Sequence, residues 1–139
     1  AVILIFLLIL LAGIIDLGRM IFTYLTMRDA VQEGAAYASI VYGLEDDLLM
    51  GPVAVCGDIQ ERVNYNLPAS QDFEEPDIYI NGVEIDCSTT STIPCSGDVV
   101  SVRVSTDFEL TMPIISAFVG TTVPLTASIT DTVLSPYCP

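Results

Sequence analysis

Hydrophobic and polar positions divide this chain into three textures. The first is residues 1–15, AVILIFLLILLAGII, which carry no charge. A helix apolar on every face has to be buried in protein or lipid. Fifteen residues rise only about 22 Å as a helix, against a hydrocarbon core of roughly 30 Å, so spanning a bilayer also needs the continuation LGRMIFTYLTM. From Met27 the pattern changes without stopping. Met27, Ala30, Val31, Gly34, Ala35, Ala38 and Val41 recur at spacings of three and four, and Arg28, Asp29, Gln32, Glu33 and Ser39 take the other face. The spacing predicts one helix from Ala1 to about Tyr42, stopped by Gly43 and about 63 Å long. Because the helical pattern continues past the apolar run, the run is read as a retained element and not as a removed signal.

The second texture is short and mixed. An acidic loop, Glu45-Asp46-Asp47, precedes a stretch in which Ile59, Arg62, Val63 and Asn66 fall at helical spacing, predicting a short helix from about Gly57 to Asn66 ended by Pro68. The third texture alternates. Asp77 to Ile80, Asn81-Gly82 and Val83 to Asp86 form a two-residue hairpin, since Asn-Gly supplies the positive φ angles of a type I′ turn. Val100, Val102 and Val104 alternate with Ser101, Arg103 and Ser105 in a third strand from Asp98, which extends through Phe108 and Leu110. A break at Pro113 gives a turn or short helix over 114–119, and a fourth strand runs from Val123 to Leu134. The fold class is α+β: a long N-terminal helix packed on a small antiparallel sheet of about four strands. Residues 1–43 form the helix, with an apolar half 1–27 for a membrane or filament core and an amphipathic half 28–43. Residues 44–139 form an exported acidic domain.

Composition narrows the function. Eighteen acidic residues face four arginines, a net charge of −14, which repels nucleic acid. With no histidine, the usual general base and the commonest metal ligand are missing, so neither an enzyme nor a cofactor is expected. The acidic clusters Glu45-Asp46-Asp47 and Asp72-Phe-Glu-Glu-Pro-Asp77 lack the spacing of a calcium loop and are read as solvated faces. Ser88, Thr89, Thr90, Ser91 and Thr92, beside Pro94, resemble an O-glycosylated segment. Cys56, Cys87, Cys95 and Cys138 fit no zinc or redox spacing and read as two disulfides of an exported domain. Three pairings are open. If the second and third strands are neighbours, Cys87 joins Cys95, leaving Cys56 for Cys138.

Within the helix, Asp16 and Arg19 stand three apart and can pair in cis, marking the edge of a span. Alternatively they reach another subunit and fix axial register among otherwise featureless apolar helices. In that arrangement Ala1 of one subunit would meet Asp16 of another, a buried amine needing an acceptor. Gly13 and Gly18, and the stripe Gly34, Ala35, Ala38, are small enough to admit a second backbone.

The runs Gly13-Ile-Ile-Asp-Leu-Gly-Arg19, Tyr24-Leu-Thr and Asp29-Ala-Val-Gln-Glu-Gly-Ala-Ala-Tyr37-Ala resemble the helix signature of the TadE-like family, pilus-associated pilins or pseudopilins of tight-adherence systems. Residues 97–110 and Leu125-Thr-Ala-Ser are similar to its C-terminal strands. The resemblance implies export, precursor processing, storage in the inner membrane, and a place in an extracellular type IV-like filament at the bacterial surface. Its partners would be other copies of itself and other pilins. The alternative is a membrane-anchored pseudopilin that assists assembly or binds at the surface.

Overall fold

The structure is a computed structural model that describes residues 2–41, 52–69, 71–88, 94–112, 116–117 and 120–134. The element order is α1 (Val2–Val41), α2 (Pro52–Asn66), β1 (Asp77–Ile80), β2 (Val83–Ile85), β3 (Val99–Glu109) and β4 (Thr122–Thr132). The expected stop at Tyr42-Gly43 and the acidic run Glu45-Asp46-Asp47 lie outside the described residues.

α1 is unbroken over 40 residues, about 60 Å at the usual rise. Its upper half buries the predicted stripe: Met27, Ala30, Val31, Ala35 and Ala38 are fully covered. Ser39, assigned by pattern to the solvent side, is buried as well. Its hydroxyl donates to the Ala36 carbonyl at 2.8 Å, and its own carbonyl accepts the Leu134 N–H at 3.1 Å, so a short polar side chain fits the covered face without an unpaired group. α2 begins five residues before its expected start. Pro52 opens it, as proline can where the N–H needs no helical partner. Ile59 and Val63, four apart, are buried against α1.

The sheet is antiparallel, in the order β2-β1-β3-β4. The predicted hairpin forms, with Asn81 at φ 51° and Gly82 at φ 78°. Asn81 also ties this turn to β3: its Nδ2 donates to Asp98 Oδ1 at 2.8 Å and its Oδ1 accepts the Val99 N–H at 2.9 Å. The Asn81 hydrogen bond, followed by that from the Cys95 N–H, holds the Asp98 carboxyl below its ordinary pKa. β3 buries Val100, Val102, Val104, Thr106 and Phe108 in strict alternation, facing the helices. Its outward neighbours meet β4 in a hydroxyl ladder, Ser101 with Thr130 and Ser105 with Thr126.

Strand order overturns the expected cysteine pairing. β1 lies between β2 and β3, so Cys87 after β2 is held at the far edge from the start of β3. There it meets α2: Cys56 and Cys87 form a disulfide across 31 residues, with Cα atoms 5.3 Å apart. Cys95 is also disulfide-bonded, and Cys138 lies outside the described residues. Non-reducing peptide mapping is expected to recover Cys56 linked to Cys87. Replacing both by serine should cost about 3–4 kcal/mol from loop-closure entropy, read as a lower melting temperature. A peptide joining Cys87 to Cys95 would refute the pairing.

Candidate functional site

The site lies where the apolar half of α1 meets the lower end of the sheet. α1 presents Asp16, Met20, Thr23 and Met27 to the domain at helical spacing, so the covered stripe begins about eleven residues earlier than the amphipathic pattern indicated. Asp16 is only 4% exposed despite its charge. Its Oδ2 accepts two backbone N–H groups of the segment leaving β3, from Met112 at 2.9 Å and Thr111 at 3.1 Å. A charged acceptor on two neighbouring amides makes stronger bonds than a neutral one. The strand has just ended, so these amides have no sheet partner, and the carboxylate supplies what the ladder no longer does.

Arg19 completes the junction. Its Nη1 lies 3.6 Å from Asp16 Oδ1 and donates to Thr111 Oγ1 at 2.6 Å. The guanidinium sits over the Phe108 ring, 5.4 Å from its centroid. One turn higher, the buried Thr23 donates to Gln71 Oε1 at 3.2 Å. Gln71 opens a strap that runs along β3, where Glu74 N–H bonds the Ser105 carbonyl and the Thr106 hydroxyl bonds that of Asp72. Polar side chains inside an apolar helix thus act as fasteners between helix and head. Within the chain Asp16 and Arg19 form the cis pair. The second oxygen of Asp16 is filled from within the chain, by residues 95 and 96 positions away. Sequence reading missed Thr111 and Met112, because their contribution is a backbone N–H.

The other expected contact residues fall at different places. Ala1 lies outside the described residues. Gly13 is half-buried, and a Cβ on Gly18 would meet nothing within 4 Å. Gly34 lies at a three-way packing point instead: a Cβ there would overlap a methyl of Val63 on α2 and touch Val102 of β3 at 3.7 Å. The stripe Gly34, Ala35, Ala38 therefore admits the chain's own α2 and sheet. Asp72, Glu74 and Glu75 are exposed, and no three acidic or cysteine side chains converge on a metal-sized site among the described residues. Ser88 is exposed and donates to Asp86 Oδ1 at 2.6 Å; Thr89, Thr90, Ser91 and Thr92 lie outside the described residues.

Below Asp16 nothing covers the helix all round. Ile3 is 81% exposed, and Leu4 to Leu11 are all exposed. Above it, Leu17, Ile21, Phe22, Tyr24 and Leu25 remain exposed on the face turned from the head. A long helix with a bare apolar end, fastened above to a four-stranded antiparallel sheet, defines an α+β architecture. Residues 1–36 match the family model described as TadE-like protein. No curated protein and no solved structure matches the chain.

Proposed function

We propose that the chain is a structural subunit, a pilin, of an extracellular type IV-like filament. The observation that carries this reading is the apolar surface of α1, long enough to cross a membrane and almost wholly uncovered by the chain's own head. Contiguous exposed apolar surface of that extent calls for lipid or other protein. In the inner membrane, before assembly, lipid covers it. In the filament, helices of other copies cover it, with Leu17, Ile21, Phe22 and Leu25 as the contacts nearest the head and the open space around Gly18 as a place of close approach. The head stays outside, its acidic surface in water. No catalytic step is assigned to it: with no histidine, the usual general base and the commonest metal ligand are missing.

The test is electron microscopy and mass spectrometry of material sheared from cells that express the chain, beside cells expressing Phe22→Asp. Filaments containing the chain, lost on placing a charge at Phe22, are the expected result. Recovery only as single detergent-extracted chains, with no filament, would overturn the structural reading in favour of a membrane-anchored assembly factor.

A further inference from the structure

The turn that joins β1 to β2 carries chemistry of its own. Asn81 and Gly82 both adopt positive φ, 51° and 78°, and both are exposed. The carboxamide carbon of an asparagine can close a five-membered ring with the backbone nitrogen of the next residue. That attack is least hindered where the next residue is glycine, which has no Cβ to obstruct it.

In the folded chain the carboxamide is engaged elsewhere. Asn81 Nδ2 donates to Asp98 Oδ1 at 2.8 Å and Asn81 Oδ1 accepts the Val99 N–H at 2.9 Å, so both ends of the side-chain amide are held by the start of β3. The Asn81 N–H donates to the Val99 carbonyl at 2.8 Å, fixing the main chain at the same point. Asp98 is held in turn. Its Oδ2 accepts the Cys95 N–H at 2.7 Å, and its carbonyl accepts the Val133 N–H at 2.9 Å. Nδ2 is the atom that ring closure expels, and it is the one Asp98 grips. With Oδ1 also pinned, the carbon is free to meet the Gly82 nitrogen only after both bonds open.

We propose that Asn81 is a site of spontaneous, irreversible deamidation, which docking of the hairpin on β3 holds back and whose product unfastens the hairpin. The Gly82 nitrogen gives its proton to solvent and attacks the Asn81 carboxamide carbon. A C–N bond forms, the bond to Nδ2 breaks, and Nδ2 takes up a proton from solvent and leaves as ammonia. The cyclic imide then adds one water at either carbonyl. Opening gives aspartate, or isoaspartate with a main chain longer by one carbon; nothing is oxidised or reduced, and water is the co-reactant. Aspartate replaces the Nδ2 donor with a carboxylate facing Asp98 Oδ1, so a hydrogen bond becomes a repulsion between like charges. Isoaspartate also lengthens a turn whose two residues set the Ile80–Val83 register. The turn is thus a clock on the age of the folded head, independent of what covers α1.

Full-length protein in detergent micelles is kept at neutral pH, either folded or unfolded in guanidinium chloride. Peptide mapping then follows asparagine, aspartate and isoaspartate at position 81. Conversion is expected in both, slower by about tenfold or more in the folded chain, because two hydrogen bonds must open before each attack. Asp98→Ala, with its β3–β4 amides still protected from hydrogen exchange, should convert several-fold faster than the parent. Asn81→Asp, the product made directly, should speed exchange across the β1–β2 pair. Equal rates in folded and unfolded chains would overturn the protection, and no conversion in the unfolded chain would overturn the site. A parent-like rate in folded Asp98→Ala would remove Asp98 from the latch, and unchanged exchange in Asn81→Asp would overturn the unfastening. The folded and unfolded parent chains need no substitution, so their comparison decides the proposal whether or not Asp98→Ala folds.

Discussion

Asp16→Ala is expected to loosen the head from the helix, at a cost of about 3 kcal/mol. The substitution leaves the Thr111 and Met112 amides without their acceptor in a covered place, and an unsatisfied buried donor costs about 1–3 kcal/mol. It also leaves Arg19 beside an empty site. Asp16→Asn keeps one acceptor oxygen and should lose less. Arg19→Ala should lose under about 1 kcal/mol, because its side chain is 54% exposed and exposed pairs contribute little. Hydrogen exchange in detergent micelles distinguishes this from a general loss of stability. Exchange at Thr111 and Met112 should accelerate first and most in Asp16→Ala, with the β1–β3 ladder still protected. Unchanged exchange at both amides would show that the carboxylate does not hold the segment leaving β3.

Gly34→Val is expected to be the most damaging change in the upper half of α1, at about 3 kcal/mol. A Cβ at this position already overlaps Val63, and branching adds a second and third collision toward Val102 and Ile59. Gly34→Ala recovers helix propensity worth up to about 1 kcal/mol, yet must still displace a β-branched side chain that has one strongly preferred rotamer in its own helix. A net loss of about 1 kcal/mol is expected. The double variant Gly34→Ala with Val63→Ala checks the cause. If the overlap is responsible, the second substitution costs much less in the presence of the first than alone, a coupling of more than about 0.5 kcal/mol in a denaturation cycle. Strict additivity would place the damage elsewhere.

Local patterns made much of this fold legible. Period-four spacing located α1 and the core of α2, Asn81-Gly82 the hairpin, and the valine alternation the buried face of β3. The remainder depended on contacts far apart in sequence. A hairpin next to a third strand permits either of its strands to be the neighbour. Here β1 takes that place and sends Cys87 to the edge, where Cys56 is. Nothing local to residues 83–95 distinguishes the two orders. Asp16 stood out in the sequence as a charge in an apolar run, but its partners are two amides 95 and 96 residues distant. The small-residue stripe was legible as a packing surface and the sheet was expected against it, but the approach of α2 was not. A glycine records that something comes close without recording what.

The continuity of α1 has a mechanical consequence. The head is attached along the side of the helix, through Asp16, Thr23 and the stripe from Met27 to Ser39, and the helix itself runs unbroken beneath those attachments. A pull applied between the two ends of α1 is therefore borne along its length by its own backbone hydrogen bonds, with the sheet attached only at its side. Strands, loops and disulfide can strain or vary without lengthening the rod. Stiffness belongs to the helix, and the head is left free to be a surface.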